Sequence, residues 1–418
     1  MSVKKLAPVI LSVVLLVSAL AARAYTDNQV VKPVSTATAD MATSDSANQI
    51  QPQSPEEKMC GVWVSYLELD MQNVADKSEE SFRARFESIA KNCKLNGFNT
   101  LIVQVRPFCD ALYESKYFPY SHILSGEQGV SPGYDALKIM CEVCRADGLK
   151  IHAWINPYRI STDSTPQELC ESNPYVENSE LGEETDNGIY LNPASKEARK
   201  LIIDGVIEIV ENYDIDGIQF DDYFYPTQDS DFDSDEYNTY VDTVGKMNSM
   251  SVDNWRLANV NTLICDTYRA IHKITDKVDF GISPQGNIDN NAEIYADVKS
   301  WCICKGFADY ICPQLYFSLD NPALSFENSL DEWTELDINN SVKLYVGLSG
   351  YKAGSEADEG TWLESNNILS EEYRIAMENE KVSGIMLYSY SALEKEDAEE
   401  EIENLAKTIS EYSKSEQS

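Results

Sequence analysis

The sequence predicts a closed (β/α)8 TIM barrel with loop insertions. Three observations lead there. Short apolar runs alternate with longer amphipathic segments from Cys60 onward; eight such pairs fit into roughly 350 residues; and no Gly-rich phosphate turn follows the first run, which removes support for a doubly wound open sheet.

Side chains alternate along a strand, so the parity of each run separates barrel-facing from helix-facing residues. The first run, 60–66, offers Trp63 and Ser65 to the interior and leads into a helical pattern at 78–96. In the second, 99–106, the aliphatics Leu101, Val103 and Val105 share one parity, leaving Ile102, Gln104 and Arg106 inward; a helix at 134–147 follows. The third, 150–156, turns Ile151, Ala153 and Ile155 to the helices and His152, Trp154 and Asn156 to the interior. Its helix, 195–213, begins where Asn192-Pro193 stops the preceding chain. Leu201, Ile202, Gly205, Val206, Ile209 and Val210 then form one apolar stripe.

The fourth run, 215–221, places Ile218 and Phe220 outward and Gly217, Gln219 and Asp221 inward. The longest insertion, 222–252, separates it from a helix at 253–276. That insertion carries Asp229, Asp231, Asp233 and Asp235 but lacks the Gly and Glu of a calcium loop, so it reads as a solvated loop. The fifth run, 279–285, sends in Gly281, Ser283 and Gln285 before a helix at 292–306. The sixth, 308–316, sends in Cys312, Gln314 and Tyr316 before 323–337. The seventh, 343–349, contributes Tyr345, Gly347 and Ser349 before 370–381. The eighth, 383–390, contributes Met386, Tyr388 and Tyr390 before a last helix at 393–411.

This lining is not that of a dry core, which would carry Val, Ile and Leu in layers. Arg, Asn, Gln, Asp, Trp and Tyr converge on the C-terminal mouth, where barrel enzymes carry their active sites. Unpaired buried polar groups cost about 1–3 kcal/mol each, so the ring implies mutual hydrogen bonds or a polar ligand. Polar groups interleaved with flat aromatic faces suit a sugar.

Composition narrows the partners. The chain has 418 residues with 33 Lys+Arg against 70 Asp+Glu, a net charge of −37, which disfavours nucleic acid. Its three histidines leave almost no room for a His-rich metal site, and there is no G-x-S-x-G nucleophile motif. No cofactor or metal is expected, and the chain is expected to act as a monomer on a polysaccharide.

The N-terminus reads as an export signal. Lys4 and Lys5 precede an apolar Leu6–Leu20 region, and Ala22-Arg23-Ala24 supplies a cleavage site. The alternative is an uncleaved membrane anchor, near the ~17-residue lower limit for a span. From Thr26 to Lys58 there is no aromatic residue, and polar residues dominate, as in a flexible tether. The expected organisation is a signal peptide (1–24), a linker (25–58), a barrel domain (59–412) and a tail (413–418). Ten cysteines lie mainly in apolar runs or a helical pattern, favouring buried reduced thiols over a disulfide framework.

The carboxylates define the chemistry. Glycoside hydrolysis uses two carboxyl groups, one protonating the leaving oxygen and one serving the cationic sugar carbon or its water. Asp221 ends the fourth strand, Asp222 opens the loop after it, and Asp110 follows the second strand. Arg106 is expected to hold Asp221 ionised, making Asp221 the nucleophile or cation stabiliser, with Asp222 or Asp110 as proton donor.

Several segments together resemble the glycosyl-hydrolase-like 10 family. They include Gly61-Val-Trp63-Val, Gln104-Val-Arg106-Pro with Asp110-Ala-Leu-Tyr113, and His152-Ala-Trp154-Ile-Asn156-Pro-Tyr158-Arg159. The others are Asp216-Gly217-Ile through Asp221-Asp222-Tyr223-Phe-Tyr-Pro226, Trp255-Arg256, Gly281-Ile-Ser283-Pro284 and Pro313-Gln314-Leu-Tyr316. The resemblance implies an exported TIM-barrel glycosidase of the cell envelope, with peptidoglycan glycan strands as leading substrate. Beside the catalytic candidates, the substrate-binding residues expected are Arg106, Gln104, His152, Trp154, Asn156, Tyr158, Arg159, Gln219, Tyr223, Gln314, Tyr316 and Tyr388. Two departures stand out: Gln219 replaces a common His, and Gln285 replaces a common aromatic. They motivate the alternative of an inactive wall-binding barrel.

Overall fold

The computed structural model describes residues 58–416. The expected signal and nearly all of the expected linker lie outside the described residues. Eight parallel strands form the barrel: β1 (Met59–Val64), β2 (Thr100–Arg106), β3 (Lys150–Ile155), β4 (Gly217–Phe220), β5 (Asp279–Ile282), β6 (Tyr310–Ile311), β7 (Lys343–Leu348) and β8 (Val382–Leu387). Each pairs with its sequence neighbours and β8 closes onto β1. The ladders of β5, β6 and β8 end three or more residues short of the expected limits, and beyond β5 and β6 lone bridges join Gln285 to Gln314 and Gln314 to Gly347.

The outer ring comprises α1 (Glu79–Leu95), α2 (Ala136–Asp147), α3 (Lys196–Asn212), α4 (Val252–Ile274), α5 (Val298–Ile303), α6 (Phe326–Thr334), α7 (Ile368–Glu378) and α8 (Glu399–Glu416). Local sequence starts six of them. Ser78, Asp135, Ser195, Ser251, Asp297 and Ser325 each accept a hydrogen bond from the backbone N–H three residues on, worth about 1 kcal/mol apiece. The expected 292–306 helix is broken. Its first part is a 3-10 turn, Ile288–Ile294, ended by Tyr295 in the left-handed region at φ 55°. The last helix starts late and runs to Glu416, through part of the expected tail.

Two features of the connections were not legible beforehand. After β3 the chain makes a small antiparallel sheet from Arg159–Thr162, Gly182–Thr185 and Gly188–Leu191. The insertion after β4 contains a helix, Ser234–Val244, anchored by the buried Arg256. Arg256 donates to Asp233, to the carbonyls of Gln228 and Asp229, and to Tyr295 Oη. Asp233 is therefore a buried ion-pair partner rather than part of a solvated loop.

The apolar core has two parts. The larger lies between strands and helices; the smaller fills the barrel with Met59, Trp63, Ile102, Trp154, Tyr310, Cys312, Tyr345 and Met386. Glycines make room for these rings. A Cβ on Gly281 would stand 1.9 Å from the Tyr310 ring, and one on Gly217 would stand 2.5 Å from His152.

The parity expectation fails at both ends where the chain leaves the ladder. In β2 the register shifts between Gln104 and Arg106, because Gln104 pairs with Trp154 while Arg106 pairs with Ile155. This bulge adds one residue and turns Arg106 out to the helix layer. There its guanidinium stacks at 4.1 Å on Phe118 and crowds Gly205 of α3. Tyr390 likewise belongs to the outer cluster, donating to Glu394, because β8 ends at Leu387 and the chain turns away. The ten cysteines are free thiols, and Cys60, Cys93, Cys109, Cys141, Cys144, Cys302 and Cys312 are buried.

Candidate active site

Asp221 follows the last ladder residue of β4 and is 3% exposed at the mouth. Its Oδ2 accepts from Trp154 Nε1 at 3.0 Å and from Asn156 Nδ2, while Oδ1 accepts weakly from the Tyr223 N–H at 3.4 Å. Asn156 is itself oriented, its Oδ1 accepting from Gln104 Nε2. Gln104 Oε1 in turn accepts from the Tyr66 backbone N–H at 3.0 Å. One chain of amides thus crosses from the β1 loop through β2 and β3 to the carboxylate of β4. It accounts for three of the polar residues that parity sent inward, and it is held satisfied.

Asp222 stands beside it at the open rim. Its Oδ1 accepts from Gln314 Nε2 at 3.1 Å, and the Gln285 amide also favours its charged form. Burial nevertheless raises the Asp222 carboxyl above its ordinary range. Asp221 is pushed up to about 7, first by burial and then by the charge of Asp222, against Arg159, Trp154 and Tyr223. Two adjacent carboxylates, one of them buried, cannot both ionise freely, so the pair titrates as a unit and retains a proton near neutrality.

The cation facing this pair is Arg159, not Arg106. Arg159 donates from Nε to the Pro107 carbonyl at 2.9 Å, and its guanidinium lies over Phe108 and Tyr223 at 4.9 and 5.5 Å. Its charge lowers both Asp221 and Asp222. Arg106 enters neither balance, being separated by the wall of the barrel.

Aromatic rings complete the mouth. Tyr316 and Tyr388 stack at 5.7 Å, and Tyr388 meets Trp63 and Trp154 edge-on at 6.0 and 6.4 Å. Tyr351, missed by strand parity because it lies in a turn after β7, packs edge-on against both tyrosines and is 43% exposed. Tyr223 is 53% exposed.

Other expected residues lie elsewhere. Asp110 is fully buried, accepting from Gln128 Nε2 at 3.0 Å with His122 Nδ1 at 3.4 Å, and its partners come from the loop after β2 rather than from the Asp221–Asp222 pair. Tyr158 belongs to the outer apolar cluster and is fully buried there. His152 lies in the floor of the barrel, its Nδ1 3.0 Å from Tyr310 Oη, which donates to Gln219 Oε1 at 3.2 Å. Burial lowers His152 to about 3, so the imidazole is neutral, and Gln219 bonds downward to Tyr310 rather than to Asp221.

A cleft of about 350 Å³ opens beside Asp222 between the loops after β5 and β6. A larger hollow, about 890 Å³, lies outside the barrel near α2 and α3. Most of its carboxylates are already engaged: Glu208 by Ser115 and Lys116, Asp135 by Tyr213, Asp214 by Arg145 and Glu142 by Arg83. The chemistry therefore belongs to the mouth. Among the described residues no group of three or more His, Cys, Asp or Glu is arranged to hold a metal ion.

Known proteins share this architecture. The chain is 32% identical over 361 residues to glycosyl hydrolase YngK of Bacillus subtilis (strain 168), covering 81% of this chain and 69% of that one. It is 29% identical over 388 residues to glycosyl hydrolase DigH of Escherichia coli (strain K12), covering 84% and 88%. Among solved structures, the catalytic domain of β-amylase from Paenibacillus polymyxa matches with a TM-score of 0.55 at 12% identity, over 84% of this chain and 98% of that one, a likeness of fold alone. The family model for Glycosyl hydrolase-like 10 matches residues 58–364, and the chain belongs to that family.

Proposed function

We propose that the protein is an exported glycoside hydrolase that cleaves O-glycosidic bonds in cell-wall glycan, with peptidoglycan strands as substrate. The observation that carries this reading is the Asp221–Asp222 pair at the mouth, flanked by the stacked Tyr316 and Tyr388. Asp221, with two N–H donors on one oxygen, is suited to stabilise or attack the cationic sugar carbon. Asp222 has Oδ1 occupied by Gln314 and lines the open cleft, which suits it to donate the proton to the leaving oxygen. Arg159 keeps the pair from retaining both protons. The relatives named as glycosyl hydrolases support the reaction class. Export rests on the N-terminal pattern, and the lack of a nucleic-acid partner rests on the acidic charge.

Purified protein incubated with glycan strands stripped of stem peptides tests the reading, with release of new reducing ends as the measurement. Asp221→Asn should abolish release. Asp222→Asn should lose activity on native strands yet keep much of it on aryl glycosides, whose leaving groups need no proton. Saturable binding without new reducing ends would instead support a wall-binding barrel.

A further inference from the structure

The cleft beside Asp222 has a chemistry distinct from the rest of the mouth. Its wall includes Gln285, Asn287 and Gln314 on one part and Phe317 and Leu324 on another, and its one charged side chain is Asp222. Hydrogen bonds within the protein decide which ends of the amides remain for a ligand. Gln314 Nε2 is engaged by Asp222 Oδ1 and the Ser283 carbonyl, each at 3.1 Å, so its Oε1 is left as an acceptor. Asn287 Oδ1 caps the following turn by accepting from the Asp289 N–H at 3.0 Å, so its Nδ2 is left as a donor.

The cleft therefore offers one carbonyl acceptor, one amide donor and an apolar patch. A carboxylate fits poorly, since it would face Asp222 and an acceptor oxygen without a cation. Arg159 lies across the pair, on the β3 side of β4, whereas Asn287 and Gln314 follow β5 and β6. An anionic substituent is drawn to that opposite flank.

We propose that this cleft is the subsite for an uncharged sugar bearing a short acylamido group. Asn287 Nδ2 donates to the acyl oxygen, Gln314 Oε1 accepts from an N–H or hydroxyl, and the acyl methyl rests on Phe317 and Leu324. The inference rests on the glycosidase reading and adds to it the identity and side of one bound sugar.

The test uses the full chain carrying Asp221→Asn, titrated calorimetrically with N-acetylchitotriose and with cellotriose, which lacks the acylamido groups. The N-acetylated trimer should bind about tenfold more tightly. Asn287→Asp, added to that background, keeps the cap oxygen but removes the donor, and should bring the two ligands to about equal affinity. Leu324→Asp should do the same from the apolar end. Equal binding of the trimers, absence of binding, or a preference untouched by Asn287→Asp overturns the proposal. The underlying reading fails separately: a preference for the N-acetylated trimer without release of reducing ends by wild type leaves the subsite standing, and cleavage without the preference leaves the hydrolase standing.

Discussion

The indole of Trp154 donates to Asp221 Oδ2 at 3.0 Å across the β3–β4 pair. It also meets the Tyr388 ring edge-on at 6.4 Å, so one side chain both orients the buried carboxylate and joins the aromatic wall. Replacing it by Phe keeps an aromatic body and removes the donor. Trp154→Phe should lower kcat/KM about 10- to 100-fold, the equivalent of a charge-assisted hydrogen bond of about 1.5–3 kcal/mol. Because that bond favours the anion, its loss raises Asp221 further, and the acid limb of the pH profile should move to higher pH. An unmoved limb would show that the indole does not support the ionised form.

Asp221 should cost the protein stability. Its folded carboxyl is pushed up to about 7 from an ordinary 3.8. The folded state therefore binds more protons than the unfolded chain between these values, and stability falls as pH rises through that window. The full cost, on the order of 4 kcal/mol, is present above pH 7 and absent below the unfolded value. Asp221→Asn should raise Tm over wild type at pH 8, with a smaller gap at pH 5. Thermal melts at both values check it.

Arg159 lowers both carboxyl groups of the pair. In Arg159→Gln both should titrate at higher pH, so activity should fall more at pH 6 than at pH 8. Profiles of kcat/KM from pH 4 to 9 read this directly. A loss uniform across pH would assign Arg159 to substrate binding alone.

Gly205 is an interior helix position where alanine would ordinarily gain about 1 kcal/mol. Here a Cβ would stand 2.5 Å from the Phe118 ring and 2.6 Å from Arg106 Nη1, both buried. Gly205→Ala should therefore destabilise by about 1–3 kcal/mol through overpacking. Its pH profile should match wild type, because Arg106 lies outside the mouth. Urea denaturation measures the first outcome and steady-state kinetics the second.

The alternation of apolar and amphipathic segments was sufficient to read the barrel, since a strand buried against helices on one side must repeat at every second residue. The same rule brought Gln104, Trp154, Asn156, Asp221, Gln314, Tyr316 and Tyr388 to the mouth by number alone. Ser and Asp caps marked helix starts because their hydrogen bonds are local. Parity, however, holds only while the ladder is regular. The bulge at Arg106 arises from pairing with β3, and the turn after Leu387 from the closing of β8 on β1. Neither leaves a mark in its own segment. The replacement of Arg106 by Arg159 beside Asp221, the burial of Asp110 against Gln128 and the entry of Tyr351 into the aromatic wall were settled by contacts between residues separated along the chain. Local propensity wrote the elements and their order; only packing across the closed barrel decided which charges meet, because Coulomb attraction and desolvation depend on distance in space.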